Sequence, residues 1–150
     1  HAVVNRAYVG ASPGKLAEVA GTRIPDGCEL LFSETDAGHP YVQEEQMMPL
    51  VPIISAPDFE TAVQQAKEAE HGYRHSAIIH STNVSNMTHM GREMDTTIYV
   101  KNGPALAGLG LGGEGYLSYS VATTTGEGIT TPKTFTRVRR CVMVENLRIV

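Results

Sequence analysis

Two cysteines, Cys28 and Cys141, are the residues of this 150-residue chain whose type best suits nucleophilic chemistry. A thiolate attacks carbonyl carbon, but it needs a base or a positive neighbour to form near neutral pH. Cys28 follows a turn and begins a predicted strand, while Cys141 lies beside Arg139 and Arg140 in an alternating segment. The structural role is therefore the better interpretation of both. Because no secretory context is evident, we expect both thiols to be reduced.

Histidine pairs are a second source of chemistry, since imidazoles four residues apart on one helix face can bind a metal. Among the six histidines, His71 and His75 have this spacing. Gly72 interrupts the predicted helix between them, and no cysteine or carboxylate nearby supplies a convincing third ligand. We therefore expect no structural zinc.

A glycine pattern at Gly108, Gly110 and Gly113 matches the dinucleotide-binding fingerprint G-x-G-x-x-G. It follows a predicted strand, but no helix opens after it and no acidic residue stands about twenty positions further on. Residues 102–131 combine many glycines with apolar side chains, which argues against a solvated linker. We predict a packed, irregular loop region in which glycine permits tight turns or close approach.

Adjacent carboxylates at Glu44 and Glu45 complete the candidates. Such pairs usually form nothing more than a solvated surface. From residue types and spacing alone, the chain has no complete active site.

Hydrophobic spacing and capping residues predict an α/β fold around these candidates. Ser12 followed by Pro13 predicts a helix start, as does Asp58 before a helical pattern that ends at Gly72. The predicted helices cover residues 13–20, 59–71 and 83–94, and the predicted strands cover residues 29–35, 50–54, 76–80 and 96–100. Alternation of strands and helices predicts right-handed crossovers and a mostly parallel sheet with flanking helices.

The last segment, residues 134–150, alternates apolar and charged side chains after the glycine-rich region. The sequence offers few strands with which this segment could pair. We predict that it adds to the sheet of another subunit or of a missing segment.

Composition bounds the class of protein. A chain of 150 residues with 41% hydrophobic and 19% charged residues is typical of one globular domain. The net charge of −4 argues against a nucleic-acid or anionic-membrane binder. No apolar run has membrane-spanning length, and no signal-peptide pattern opens the chain. We expect a cytoplasmic protein, and the start at His1 without Met indicates a fragment.

Four motifs taken together are specific: KNGP at 101–104, AGLGLGGEG at 107–115, TGEG at 125–128 and TFTRVRRCV at 134–142. With them, nearly the whole chain resembles the C-terminal part of a CoA-acylating aldehyde dehydrogenase, of the propionaldehyde and acetaldehyde kind found in propanediol- and ethanolamine-utilising microcompartments. The resemblance implies a three-layer α/β catalytic domain, present in part as residues 1–131. It also implies an oligomerisation β-flap strand within residues 132–150.

The same resemblance implies site residues. Residues 44–49 match the family element EE-x-x-x-P, which makes Glu45 similar to the glutamate that holds the nicotinamide ribose. Thr123, Thr124, Thr125 and Gly126 resemble the loop that lines the aldehyde pocket.

An activity follows from the family: thiolate attack on a short-chain aldehyde, hydride transfer to NAD, and capture of the cysteine thioester by coenzyme A. The family's nucleophile lies upstream, and neither Cys28 nor Cys141 matches it. The resemblance thus implies an active parent that uses NAD and CoA, and an isolated chain that is inactive and binds no cofactor alone. It also implies a homo-oligomer through residues 134–150, located in the cytoplasm or within a microcompartment. The alternative is a non-catalytic binding or assembly module that retains the fold.

Overall fold

A computed structural model describes residues 2–113, 117–118, 120–121, 129–142 and 144 of the chain, without the side chains of residues 120 and 121. The chain divides into two compact units, His1–Tyr73 and Arg74–Val150. This boundary differs from the division expected near residue 131, and the assignment of residues 1–131 and 132–150 stays a prediction.

The described part of the first unit contains two short parallel strands, three α-helices and a 3-10 helix. Its elements are a 3-10 helix Arg6–Tyr8, α1 Pro13–Val19, β1 Leu31–Glu34, α2 Pro40–Gln43, β2 Leu50–Ile53 and α3 Phe59–Glu70. β1 and β2 pair in parallel, with Leu31 opposite Leu50. Pro52 lies inside β2, which is at an edge of the two-stranded sheet, a position where a missing amide donor is tolerated. The four-residue helix α2 was not predicted.

Local caps explain where the helices of the first unit begin. The Ser12 hydroxyl accepts a hydrogen bond from the Lys15 amide at 3.3 Å, and the Asp58 carboxylate accepts one from the Thr61 amide at 2.7 Å. Each side chain satisfies an amide that has no partner within the first helical turn. α3 ends at His71 in the left-handed conformation, with φ of 55°, one residue before the predicted glycine.

The second unit is built on a strand–helix–strand succession. Its described elements are β3 Ser76–Ile79, α4 Val84–Met94, β4 Ile98–Lys101, a 3-10 helix Ala105–Leu109, β5 Ser120–Val121, β6 Ile129–Thr130 and a 3-10 helix Pro132–Phe135. β3 and β4 are parallel, whereas β5 and β6 are antiparallel. Its small core combines side chains of both parallel strands and of α4: Ala77, Ile79, Met94, Ile98 and Val100 are buried.

The predicted α/β class with parallel pairing is confirmed, although the described strands form three separate pairs. One detail differs from prediction. The glycine-rich region is more regular than predicted, since a 3-10 helix and β5 and β6 lie within it.

Of the predicted flap segment, residues 132–142 and 144 are described and residues 143 and 145–150 are not, and the flap strand stays a prediction. Within residues 131–142 the chain forms the 3-10 helix Pro132–Phe135 and then no regular element. Among the described residues, no helix has the length and apolarity required to cross a membrane.

Candidate functional site

The acidic segment of the first unit, residues 44–49, begins where helix α2 ends. The His39 ring accepts a hydrogen bond from the Tyr41 amide at 3.2 Å and thereby caps α2, with Pro40 at its first position. The Glu44 amide donates to the Pro40 carbonyl at 2.9 Å, and Glu44 then takes an extended conformation. The chain therefore leaves the helix at Glu44.

Glu44 and Glu45 differ in their surroundings. In extended backbone, successive side chains point to opposite sides. Glu44 is half-buried and lines a groove of the first unit, whereas Glu45 is exposed and does not. In the described part of the chain, the Glu45 carboxylate has no hydrogen bond or ion pair. Glu45 is thus open to solvent, whereas Glu44 lines the groove.

Hydrogen bonds from three directions hold the acidic segment. The Gln46 side-chain amide donates to the Tyr41 carbonyl at 2.6 Å. The Met47 carbonyl accepts from the Gly10 amide at 3.1 Å, and the Pro49 carbonyl accepts from the Leu31 amide at 2.9 Å. Because Met47 has φ of 53°, an unusual value for a non-glycine residue, these contacts must maintain a locally strained backbone.

The groove beside Glu44 has a volume of about 680 Å³, which is within the range of small-molecule sites. Its apolar lining comes from the N-terminal residues, α1 and the parallel strands: Val3, Val4, Leu16, Val19, Leu31 and Leu50. Its polar lining comes from the ends of β1 and α2 and from the acidic segment: Glu34, Thr35, His39, Glu44 and Gln46. An amphipathic occupant would suit this groove.

His71 contributes to the acidic segment in a way that the sequence did not indicate. Its Nε2 atom lies 3.0 Å from the carbonyl oxygen of Gln43, the last residue of α2. The two residues are 28 positions apart, and no local pattern relates them. His75 bonds instead to its neighbour, with Nδ1 2.5 Å from the Ser76 hydroxyl.

The other candidates have ordinary surroundings. Cys28 is half-buried and its thiol donates to the Leu30 carbonyl at 3.3 Å, while Cys141 is exposed, and both are free. No cluster of three or more potential metal ligands occurs among the described residues. Thr123, Thr124, Thr125 and Gly126 lie outside the described residues.

In the second unit, the KNGP motif closes the carboxyl edge of the parallel pair. Asn102 Oδ1 accepts from the Ser81 amide at 2.8 Å, and its Nδ2 donates to the Ser81 carbonyl at 2.9 Å. Asn102 has φ of 54°, a conformation that asparagine tolerates well. The motif therefore joins the loops that follow β3 and β4, the edge at which α/β proteins bind ligands.

Comparison with known proteins relates this chain to one group of enzymes. It is 48% identical over 147 residues to the acetylating acetaldehyde dehydrogenase of Salmonella typhimurium, and 44% identical over 148 residues to the CoA-propanoylating propanal dehydrogenase of Citrobacter freundii. In both comparisons 98% of this chain and 32% of the relative are covered. The chain is a relative of the CoA-acylating aldehyde dehydrogenases. No protein-family model matches it.

Solved structures of CoA-acylating aldehyde dehydrogenases have the same fold over the matched region. Rhodopseudomonas palustris propionaldehyde dehydrogenase, with bound CoA and an acylated cysteine, is 42% identical with a TM-score of 0.84, over 94% of this chain and 34% of that one. The propionaldehyde dehydrogenase of the Clostridium phytofermentans fucose-utilisation microcompartment is 44% identical with a TM-score of 0.85, over 93% and 32%. An engineered glycolyl-CoA reductase with bound NADP+ is 41% identical with a TM-score of 0.84, over 94% and 33%.

The chain spans about a third of the length of these CoA-acylating aldehyde dehydrogenases. The resemblance that its motifs indicated is confirmed.

Proposed function

We propose that this chain is the C-terminal third of a CoA-acylating aldehyde dehydrogenase that converts a short-chain aldehyde to acyl-CoA. The observation that carries the proposal is 48% identity over 98% of the chain to an enzyme of that activity. In the complete enzyme, a cysteine outside this chain attacks the aldehyde carbon and CoA takes the acyl group from the thioester. The nicotinamide cofactor supplies the hydride acceptor.

Within this mechanism, Glu45 holds the nicotinamide ribose. Two vicinal hydroxyls need two acceptors, and a carboxylate has two oxygens with free lone pairs. The Glu45 carboxylate is exposed and stands on a segment that hydrogen bonds hold from several sides. These properties fit the cofactor, whereas Glu44 is turned toward the groove. The proposed pocket residues Thr123 to Gly126 would line the aldehyde site.

Assembly through residues 134–150 is part of the same proposal. Four large apolar side chains of the described tail are mostly exposed: Phe135, Val138, Val142 and Val144. Val138 reaches 101% of its reference exposure. Exposed apolar side chains are costly in water, and their burial against a second copy would remove that cost. We place the complete enzyme in the cytoplasm or in a microcompartment, as for the Clostridium phytofermentans relative.

A hybrid enzyme tests the activity. In it, the matched 98% of this chain replaces the corresponding region of the Salmonella typhimurium enzyme. We expect the hybrid to reduce NAD+ in the presence of acetaldehyde and CoA, and the isolated chain to give no turnover because it lacks the nucleophile. A hybrid that is folded by circular dichroism but inactive would contradict the proposal. It would favour the non-catalytic assembly module instead.

Substitution of Glu45 tests its role. Glu45→Gln keeps the shape but removes the charge, and a hydrogen bond to a charged group is worth about 1.5–3 kcal/mol. We expect the KM of the hybrid for NAD+ to rise about 10- to 100-fold, with the matched variant Glu44→Gln changing it far less. Equal effects of the two substitutions would remove the assignment to Glu45.

A further inference from the structure

The contact between His71 and Gln43 joins the end of one helix to the end of another. Gln43 is the last residue of α2, and the final carbonyl groups of a helix have no partner inside it. His71 stands at the C-terminal end of α3 with its Nε2 atom 3.0 Å from the Gln43 carbonyl oxygen. A carbonyl oxygen only accepts, so Nε2 carries the hydrogen and donates it.

This donor acts next to the proposed cofactor residue. Glu45 is two residues beyond Gln43, a separation of about 7 Å at most along an extended chain. The Gln43 side-chain amide also donates to the Ala37 carbonyl at 2.6 Å, so both the backbone and the side chain of Gln43 are fixed. A shift of the Gln43 carbonyl would therefore change the direction in which the acidic segment leaves α2.

The backbone conformation of His71 indicates that its contact with Gln43 has a role beyond ending α3. His71 has φ of 55°, and its amide donates to the Glu68 carbonyl at 3.3 Å. Glycine and asparagine occupy this left-handed position with less strain. Either residue would end α3 at least as well, but glycine has no side-chain donor and the asparagine amide is shorter than the imidazole. The histidine side chain is thus long enough to bond to Gln43, and the end of α3 does not require this length.

We propose that His71 is a positioning residue that, through the Gln43 carbonyl, holds the acidic segment so that Glu45 can bind the nicotinamide ribose. The inference rests on the proposed function of Glu45. It assigns to His71 no contact with the cofactor.

Two substitutions that introduce a side-chain amide distinguish the hydrogen bond to Gln43 from the role of His71 in ending α3. His71→Gln introduces a side-chain amide whose N–H donor extends about as far from the backbone as the imidazole Nε2. His71→Asn introduces the same amide on a side chain that is one methylene shorter. Asparagine also adopts the left-handed backbone conformation more readily. Because asparagine relieves the backbone, a loss in His71→Asn cannot come from strain there. As a control, Gln64→Met removes the bond from Gln64 to Glu68, 2.7 Å long, on the same helix.

The decisive kinetic measurement is the KM for NAD+ in the hybrid enzyme. We expect His71→Asn to raise it about 3- to 10-fold, the ratio that one ordinary hydrogen bond provides, with kcat within about 2-fold. His71→Gln and Gln64→Met should stay within about 2-fold of the unsubstituted hybrid. An unchanged KM in His71→Asn, or an equal rise in His71→Gln, would overturn the inference. Absence of activity in the unsubstituted hybrid would contradict the proposed function instead.

A second measurement on the 150-residue chain itself needs no activity. The Glu44 amide bonds to the Pro40 carbonyl, and its hydrogen exchange reports whether the end of α2 is held. We expect His71→Asn to speed this exchange and His71→Gln to leave it within about 2-fold. Identical exchange in the two variants would show that His71 does not hold the segment, whatever the fate of the hybrid.

Discussion

At the scale of single residues, Gly108 shows how one glycine pattern supports two interpretations. A Cβ at Gly108 would overlap the Ile98 side chain and approach Val100 Cγ2 to 3.1 Å. Both neighbours are buried strand residues of the second unit, which cannot move freely. The glycine is therefore explained by close packing of the 3-10 helix on β4, without any phosphate.

Gly108→Ala should destabilise the second unit by about 1–3 kcal/mol, the usual cost of overpacking a core. Gly103→Ala is a matched control, since its Cβ would meet its nearest atom at 3.4 Å, an ordinary contact. Urea denaturation of both variants measures the difference. Equal unfolding midpoints would show that the packing around Gly108 is loose.

Tyr99 gives a second prediction at this scale. Its hydroxyl donates to the Met87 carbonyl at 2.6 Å, and burial raises the pKa of Tyr99 above its ordinary value. A group with a raised folded pKa contributes stability below its unfolded pKa and loses it as the pH rises. We expect stability to fall above about pH 10, where phenols ionise.

Tyr99→Phe should remove this alkaline component and should lower stability at neutral pH by about 0.5–1.5 kcal/mol through the lost bond. Chemical denaturation at pH 7 and at alkaline pH measures both effects. If the variant keeps the same alkaline loss as the parent chain, other groups cause it.

At the scale of elements, helix α3 depends on its cap. Hydrogen bonds from Thr61 lower the pKa of Asp58, the backbone amide having the larger effect and the side chain the smaller one. A group with a lowered folded pKa contributes stability above its unfolded pKa and loses it as the pH falls through the folded value. The cap therefore acts at neutral pH and weakens in acid, below about pH 4.

Asp58→Asn should keep the cap at neutral pH and should remove its dependence on acid, because an amide oxygen accepts without ionising. Asp58→Ala should lower the melting temperature at pH 7. Thermal denaturation followed by circular dichroism between pH 3 and 7 compares the three chains. A steeper acid loss in Asp58→Asn than in the parent chain would contradict this role.

The sequence was most informative about the helices and their caps. The caps Ser12 and Asp58 and the three longer helices could be predicted, because a capping side chain bonds within its own first turn. The four-residue helix α2 was missed, since one turn carries no periodic pattern. Its cap is a histidine ring, which is outside the usual set of capping residues.

At the scale of the whole molecule, exposed apolar surface predicts self-association. Beyond the tail, the first unit exposes Phe32 on β1 at 72%, and no large side chain among the described residues is fully buried. A two-stranded sheet is rarely stable by itself. We therefore expect the isolated chain to dimerise.

Deletion of residues 134–150 should weaken this association, and sedimentation velocity measures it. A narrower test places one charge on the tail: Val138→Asp should lower the dimer fraction, whereas Thr136→Asp, at an exposed polar position, should have a smaller effect. Equal dimer fractions for the two substitutions would argue against the exposed apolar side chains of the tail as the interface.

The sequence by itself determined the α/β class, the capped helices, the paired strands and the relationship to CoA-acylating aldehyde dehydrogenases. These follow from local spacing and from motifs that lie contiguous in the chain. Only the tertiary structure decided that Glu44 faces the groove while Glu45 is exposed, that Asn102 bonds to Ser81, and that His71 reaches Gln43. The physical reason is separation: these contacts join residues 21 and 28 positions apart or depend on which side of a folded segment faces solvent. No local preference encodes such a contact before the chain has folded.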